Sequence, residues 1–263
     1  MNPTIASAKR RVGNIARQAL RLLAHRYPGD LNTVHEQVHL RRLFDRFDVD
    51  FVFDIGANSG QYAQMLRNQV GYTGHIASFE PIPKLAEILR SKSAGDPKWS
   101  ISETALSDQE ATVEFHIMKS DQFSTLGTPA DQPSLEFSRK NSVRKTITVT
   151  TQTLEMAYHD AYRQFGFERP FLKMDTQGFD LAVVRGGQKV LQSFVGIQSE
   201  LSIVPLYQEA PLMEEALACY REHGFSLSAF VPNNEGHFPN LIEMDAILIR
   251  EDPSAGGRKN GGV

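Results

Sequence analysis

With 263 residues, 41% of them apolar and 22% charged, the chain has room for one α/β domain around a buried core, and its composition excludes a disordered or fibrous protein. A single cysteine, Cys219, excludes an internal disulfide and fits a reducing, cytoplasmic setting. No apolar run approaches the roughly 20 residues of a membrane span, and the formal net charge of −3 hides a basic start (Lys9, Arg10, Arg11, Arg17, Arg21 and Arg26 against Asp30) on an acidic body, which argues against nucleic acid as a partner.

Residues 9–26 read as a basic amphipathic helix, with Val12, Ile15, Ala19, Leu22 and Leu23 at helical spacing between arginines. Such a helix suits a membrane surface, and equally suits packing on the domain or on a second subunit of a homodimer. Met1 to Ala8 lack the apolar run of a secretory signal. Pro28-Gly29-Asp30 breaks the helix. A second helix is predicted over 33–47, striped by Leu40, Leu43, Phe44 and Phe47, so residues 1–49 form an N-terminal helical extension. This helix carries His35-Glu36-Gln37-Val38-His39, which matches the His-Glu-x-x-His pattern of zinc hydrolases. Arg42 and Arg46 share the face of the two histidines and no clear third ligand follows, so the pattern reads as a solvated polar face.

From residue 50 the period changes. Phe51–Ile55 is a short buried strand that ends in Gly56-Ala57-Asn58-Ser59-Gly60, and a helix follows over 61–68. Strand His75–Phe79 leads to helix 84–91, and strand Trp99–Ala105 comes next. Residues 111–118 and 144–151 alternate apolar and polar, as an inserted hairpin does, and the polar 119–142 between them read as a loop and lid. Helix 153–164, strand 171–174, helix 181–192, strand 195–199 and helix 212–223 follow, and strands 225–231 and 243–249 close the domain. Strand–helix alternation implies a doubly wound, mostly parallel sheet over residues 50–250. The last two strands have no helix between them, so the final strand is expected to be antiparallel. The tail 251–263 is Gly-rich and polar and is read as disordered.

In such a sheet ligands sit at the carboxyl ends of the strands. Gly56 allows the tight turn off the first strand, and Gly60 lets the next helix start close to it. Asn58 stands where a dinucleotide fingerprint has its middle glycine, which makes room for a pyrophosphate. That disfavours a nicotinamide-dependent oxidoreductase and suits S-adenosylmethionine, which has no pyrophosphate. Asp54 can meet the cationic methionine end. Glu80, twenty residues past Gly60, can accept hydrogen bonds from both ribose hydroxyls, and Ala105 and Leu106 lie where an adenine would rest.

Asp54-Ile-Gly-Ala-Asn-Ser-Gly60 and Phe79-Glu80-Pro81 resemble the opening of the FkbM methyltransferases. Leu172-Lys-Met-Asp-Thr-Gln-Gly-Phe-Asp180, Val184-Arg-Gly-Gly187, Ile197-Gln-Ser-Glu200 and Glu243-Met-Asp-Ala246 resemble later signatures, in the family's order. The resemblance implies a class I methyltransferase fold, a seven-stranded Rossmann-like sheet, S-adenosylmethionine as donor and a hydroxyl oxygen as acceptor. Known acceptors of the family include sugars of glycolipids and polysaccharides, and polyketide hydroxyls. The family often has Glu at the positions of Gln177 and Asp180, and Gln177 cannot act as a base, so no catalytic role is carried over to it.

A sugar hydroxyl is a poor nucleophile and needs a base, or a divalent cation such as magnesium, within reach. Asp175, at the end of the fourth strand, is the first candidate as base or metal ligand, with Glu200 on the fifth strand as its partner. The alternative is that Asp175 caps the following helix. His237 and His116 are secondary candidates for the base, and Lys173 is expected to orient a carboxylate. The whole reads as an O-methyltransferase for a hydroxyl-bearing sugar, glycolipid or glycosylated metabolite. The competing reading is a non-catalytic methyltransferase-like module that assists glycan or natural-product assembly.

Overall fold

The computed structural model describes residues 28–118, 124–126, 142–204, 207, 210–233 and 239–250. The basic helix expected over 9–26, the tail 251–263 and His237 lie outside them. Among the described residues no helix is long and apolar enough to cross a membrane.

The first element, α1 (Pro28–Phe47), starts five residues before the sequence expectation. Pro28, read as a breaker, occupies its first position, where the missing N–H costs nothing. Next come β1 (Phe51–Ile55), α2 (Gln61–Met65, running into a π-turn at Leu66–Val70), β2 (His75–Phe79), α3 (Pro83–Ser93) and β3 (Trp99–Ser102). The strand expected over 99–105 therefore divides. Its end, β4 (Ala105–Ser107), leaves the main sheet and pairs in parallel with β6 (Val143–Thr153), which pairs antiparallel with β5 (Ala111–Met118). The expected hairpin is thus present, and β4 makes it a three-stranded sheet.

α4 (Leu154–Phe165) is capped by Thr153, whose side chain accepts from the Met156 N–H. It leads to β7 (Pro170–Met174) and α5 (Asp180–Arg185). The helix expected over 181–192 stops at Arg185, and only a 3-10 turn (Leu191–Ser193) follows. The cause is close packing at Gly186 and Gly187: a Cβ on Gly186 would stand 2.2 Å from the Ser107 carbonyl oxygen of β4. The chain ends with β8 (Gly196–Ser202), α6 (Met213–Glu222), β9 (Phe225–Asn233) and β10 (Glu243–Arg250).

The seven-stranded sheet has the order β3-β2-β1-β7-β8-β10-β9, and β10 runs antiparallel between β8 and β9. This is the class I methyltransferase fold. Strand alternation sorts its two faces. Phe51, Phe53, Ile55, Leu172, Met174, Ile197 and Leu248 pack on the side of α4, α5 and α6. Val52, Phe171 and Ile247 pack on the other side with Leu40, Leu43 and Phe44 of α1 and Leu66 after α2. The same period continues on that second face toward the carboxyl edge, where the residues become polar: Asp54, Lys173, Gln198, Glu200, Glu243 and Asp245.

Candidate active site

Those polar side chains line a cavity of about 700 Å³. The turn after β1 forms one wall. Gly56 has φ +76, and a Cβ there would lie 2.0 Å from the Asp175 carbonyl oxygen, so only glycine lets the turn pass this close to β7. Gly60 opens α2 at φ +86, with Leu89 and Trp99 against its Cα. Asn58 holds φ +48, a conformation that asparagine tolerates, and its Oδ1 accepts from the Ser59 N–H at 2.7 Å.

Glu80 ties this turn to β2. Its Oε2 accepts from the Asn58 N–H and its Oε1 from the Ile82 N–H, each at 2.8 Å. Burial pushes its carboxyl up to about 8, against the pull of those two amides. Asp54 is also buried. Its Oδ2 accepts from Ser78 Oγ at 2.8 Å, and Trp99 Nε1 donates to the same Oγ. Asp54 Oδ1 has no partner among the described residues, and burial raises this carboxyl to about 6 despite the Lys173 ammonium. Ala105 and Leu106 line the cavity beside Phe79, Ile82, Phe115 and Leu126, which gives it an apolar end.

The other end is carboxylate-rich. Lys173 is buried, and its Nζ lies 3.2 Å from Asp175 Oδ2. Burial lowers the Lys173 pKa, but the surrounding carboxylates, led by Asp175, Asp245 and Asp54, outweigh it and the net shift is upward. Gln177 Nε2 donates to Asp175 Oδ1 at 2.8 Å and to Glu200 Oε2 at 2.7 Å, so one amide bridges the two acids singled out in the sequence. Burial, with Glu243, Asp175 and Asp245 nearby, holds the Glu200 carboxyl well above its ordinary range. Asp175 does not act as a cap for α5. Asp180 holds that turn instead, accepting from the Thr176 N–H at 3.0 Å and from Ser199 Oγ at 2.6 Å.

Gln177 was given no role from sequence, yet it is the hub of this cluster. It stands at φ +53, strained for a residue other than glycine. Tyr207, after β8, donates from its hydroxyl to Gln177 Oε1 at 2.8 Å, and Thr125, in the segment expected as a lid, donates from Oγ1 to the Gln177 carbonyl at 2.8 Å. The described part of that segment does reach the cavity, through Ser124 and Leu126.

His116 is not among the cavity-lining residues, although its neighbour Phe115 is, and its Nδ1 sits 3.2 Å from Thr146 Oγ1. The His-Glu-x-x-His face needs correction. His39 Nε2 lies 2.9 Å from Ser228 Oγ on β9, and Glu36 turns inward to line the cavity, so the face is not simply solvated. Among the described residues no group of three or more His, Cys, Asp or Glu is arranged to hold a metal ion.

The Methyltransferase FkbM domain matches residues 54–227. The chain belongs to the FkbM methyltransferase family. A 2-O-methyltransferase, NoeI, of Sinorhizobium fredii is 28% identical over 206 residues, which span 75% of this chain and 78% of that protein. Among solved structures, magnesium protoporphyrin IX methyltransferase of Synechocystis with bound S-adenosylmethionine is similar at 7% identity and TM-score 0.45, over 85% of this chain and 80% of that one. Fibrillarin of Aeropyrum pernix, also in complex with S-adenosylmethionine, is similar at 10% identity and TM-score 0.42, over 76% of this chain and 66% of that one. The matched FkbM segment starts at Asp54, so it takes in the glycine turn, Glu80 and the Asp175–Gln177–Glu200 cluster, and leaves out α1 and β10.

The residues fit the donor that this family uses, S-adenosylmethionine. Glu80 spends one lone pair of each oxygen on the turn, and the remaining lone pairs would suit ribose hydroxyls. The apolar end around Ala105 and Leu106 suits an adenine ring. The unpartnered Asp54 Oδ1 is a buried acceptor at the cavity, and would suit a cationic methionine end.

Proposed function

We propose that this FkbM methyltransferase methylates a hydroxyl oxygen, that of a sugar in a glycolipid, polysaccharide or glycosylated metabolite. The observation that carries the reading is the Asp175–Gln177–Glu200 cluster, a fixed pair of carboxylates beside a buried lysine at the cavity end away from Glu80. The donor, when bound, supplies a methyl group already activated on a sulfonium. The chain's work is then to hold the acceptor in line and to take its proton.

In this reading Asp175 receives the hydroxyl proton. Lys173, 3.2 Å from Asp175 Oδ2, holds that carboxyl in place beforehand. Gln177 Nε2 donates to both acids and so fixes Asp175 relative to Glu200. Asp175 and Glu200 are the residues that would hold a magnesium ion, but one oxygen of each already accepts from the Gln177 amide, which favours base chemistry at this pair. The name of the similar NoeI protein, a 2-O-methyltransferase, supports an oxygen acceptor.

The test is transfer of tritiated methyl from S-adenosylmethionine to a panel of neutral methyl glycosides. Label in a base-stable methyl ether is expected, with kcat falling ~10²-fold or more in D175N. Absence of label from every glycoside hydroxyl contradicts the reading, and so does full activity in D175N.

A further inference from the structure

The cavity has a wall that the FkbM segment does not supply. Glu36 comes from α1, and Glu243 and Asp245 come from β10. The part of α1 bearing Glu36 is locked to the sheet, because Leu40, Leu43 and Phe44, one and two turns further on, are buried against Val52, Phe171 and Ile247. Glu36 itself is held from β8. Gln198 Nε2 donates to its Oε1 at 2.7 Å, and Gln198 Oε1 accepts from the Tyr62 hydroxyl at 3.0 Å. Its other oxygen has no hydrogen-bond partner among the described residues. This chain of contacts lies over β8 and β10, the half of the cavity away from Glu80, Ala105 and Leu106.

We infer that Glu36 binds the acceptor: its carboxylate takes hydrogen bonds from non-reacting hydroxyls of an uncharged polyol and so helps to choose the substrate. The inference rests on the proposed O-methyl transfer and deepens it. A carboxylate is an acceptor only, so it pairs with hydroxyl donors, and adjacent sugar hydroxyls can engage both of its oxygens. Glu200, Glu243 and Asp245 share this wall, while Lys173, the one buried ammonium among the described residues, is already paired with Asp175. An acceptor bearing a carboxylate or phosphate would lose its water near this wall among buried acids, with Lys173 already paired to Asp175. Burial raises the Glu36 pKa, outweighing the Gln198 hydrogen bond and the Lys173 charge.

The test uses the full chain saturated with S-adenosylhomocysteine, titrated with neutral methyl hexosides and with the matching methyl hexuronides. Neutral hexosides are expected to bind, and hexuronides to bind at least ~10-fold more weakly. E36A should weaken hexoside binding ~10-fold, while E36Q, which keeps an acceptor oxygen, should weaken it ~3-fold. Affinity for S-adenosylhomocysteine should stay within ~2-fold in both variants, which also verifies their fold. Equal hexoside binding by wild type and E36A overturns the inference, and so does hexuronide binding as tight as that of hexosides. If methyl transfer to hexosides also persists at unchanged KM in E36A, the inference falls and the O-methyltransferase reading stands. If the wild type neither binds nor methylates any hexoside, both fall.

Discussion

Gly56 and Glu80 show how much the cofactor side depends on single residues. Alanine at Gly56 combines a left-handed φ with a Cβ driven into the Asp175 carbonyl, so the turn must move and carry Asp175 with it. G56A is expected to lose measurable S-adenosylmethionine binding and at least ~1–2 kcal/mol of stability, checked by calorimetry and denaturant melts. E80A removes the acceptor of two turn amides and the acceptor proposed for the ribose hydroxyls, and affinity for S-adenosylmethionine should fall ~10²-fold. The place of these residues at the cavity was legible in the sequence because the signal is local: one strand, one glycine turn, one acid at a fixed interval. Gln177 and Glu36 were not. Gln177 looked inert by chemistry, and its role comes from partners at Glu200, Tyr207 and Thr125. Glu36 meets Gln198 across 162 positions of sequence, and helical periodicity placed it beside a histidine pair rather than in a cavity.

At the scale of elements, two described residues from different stretches of chain converge on Gln177. The segment after β5 brings Thr125, and the segment after β8 brings Tyr207. Y207F deletes the hydroxyl that fixes the bridging amide. It should lower kcat ~10-fold and leave S-adenosylmethionine affinity nearly unchanged, as steady-state kinetics and titration would report. Strand–helix alternation was readable because each buried strand is a short apolar run, and the antiparallel last strand followed from the missing crossover helix. Two elements misled for packing reasons. Ala105–Ser107 has the composition of a continued β3, yet it pairs with β6. The expected 181–192 helix is cut short where Gly186 lets β4 approach the backbone.

For the whole molecule, the cavity concentrates Glu36, Asp54, Glu80, Asp175, Glu200, Glu243 and Asp245 around Lys173. Burial raises Asp54 to about 6 and Glu80 to about 8, and raises Glu200, Glu243 and Asp245 as well. In the folded chain these groups hold protons that the unfolded chain has already released, so folding takes up protons across this window. Stability should therefore be greatest near the ordinary glutamate value of 4.5 and fall as pH rises toward about 8. The thermal midpoint of the ligand-free protein is expected to drop by about 3 °C or more between pH 5.5 and 8, and E80Q should flatten the slope. A midpoint that rises over this interval would contradict the burial of these acids. Asp54, at about 6, is ionised at neutral pH and suits a cationic donor. The most direct test is calorimetric titration of the purified full chain with S-adenosylmethionine, S-adenosylhomocysteine and NAD. The account predicts binding of the first two, lost in E80A, and no binding of NAD; binding of NAD, or of none of the three, would contradict it.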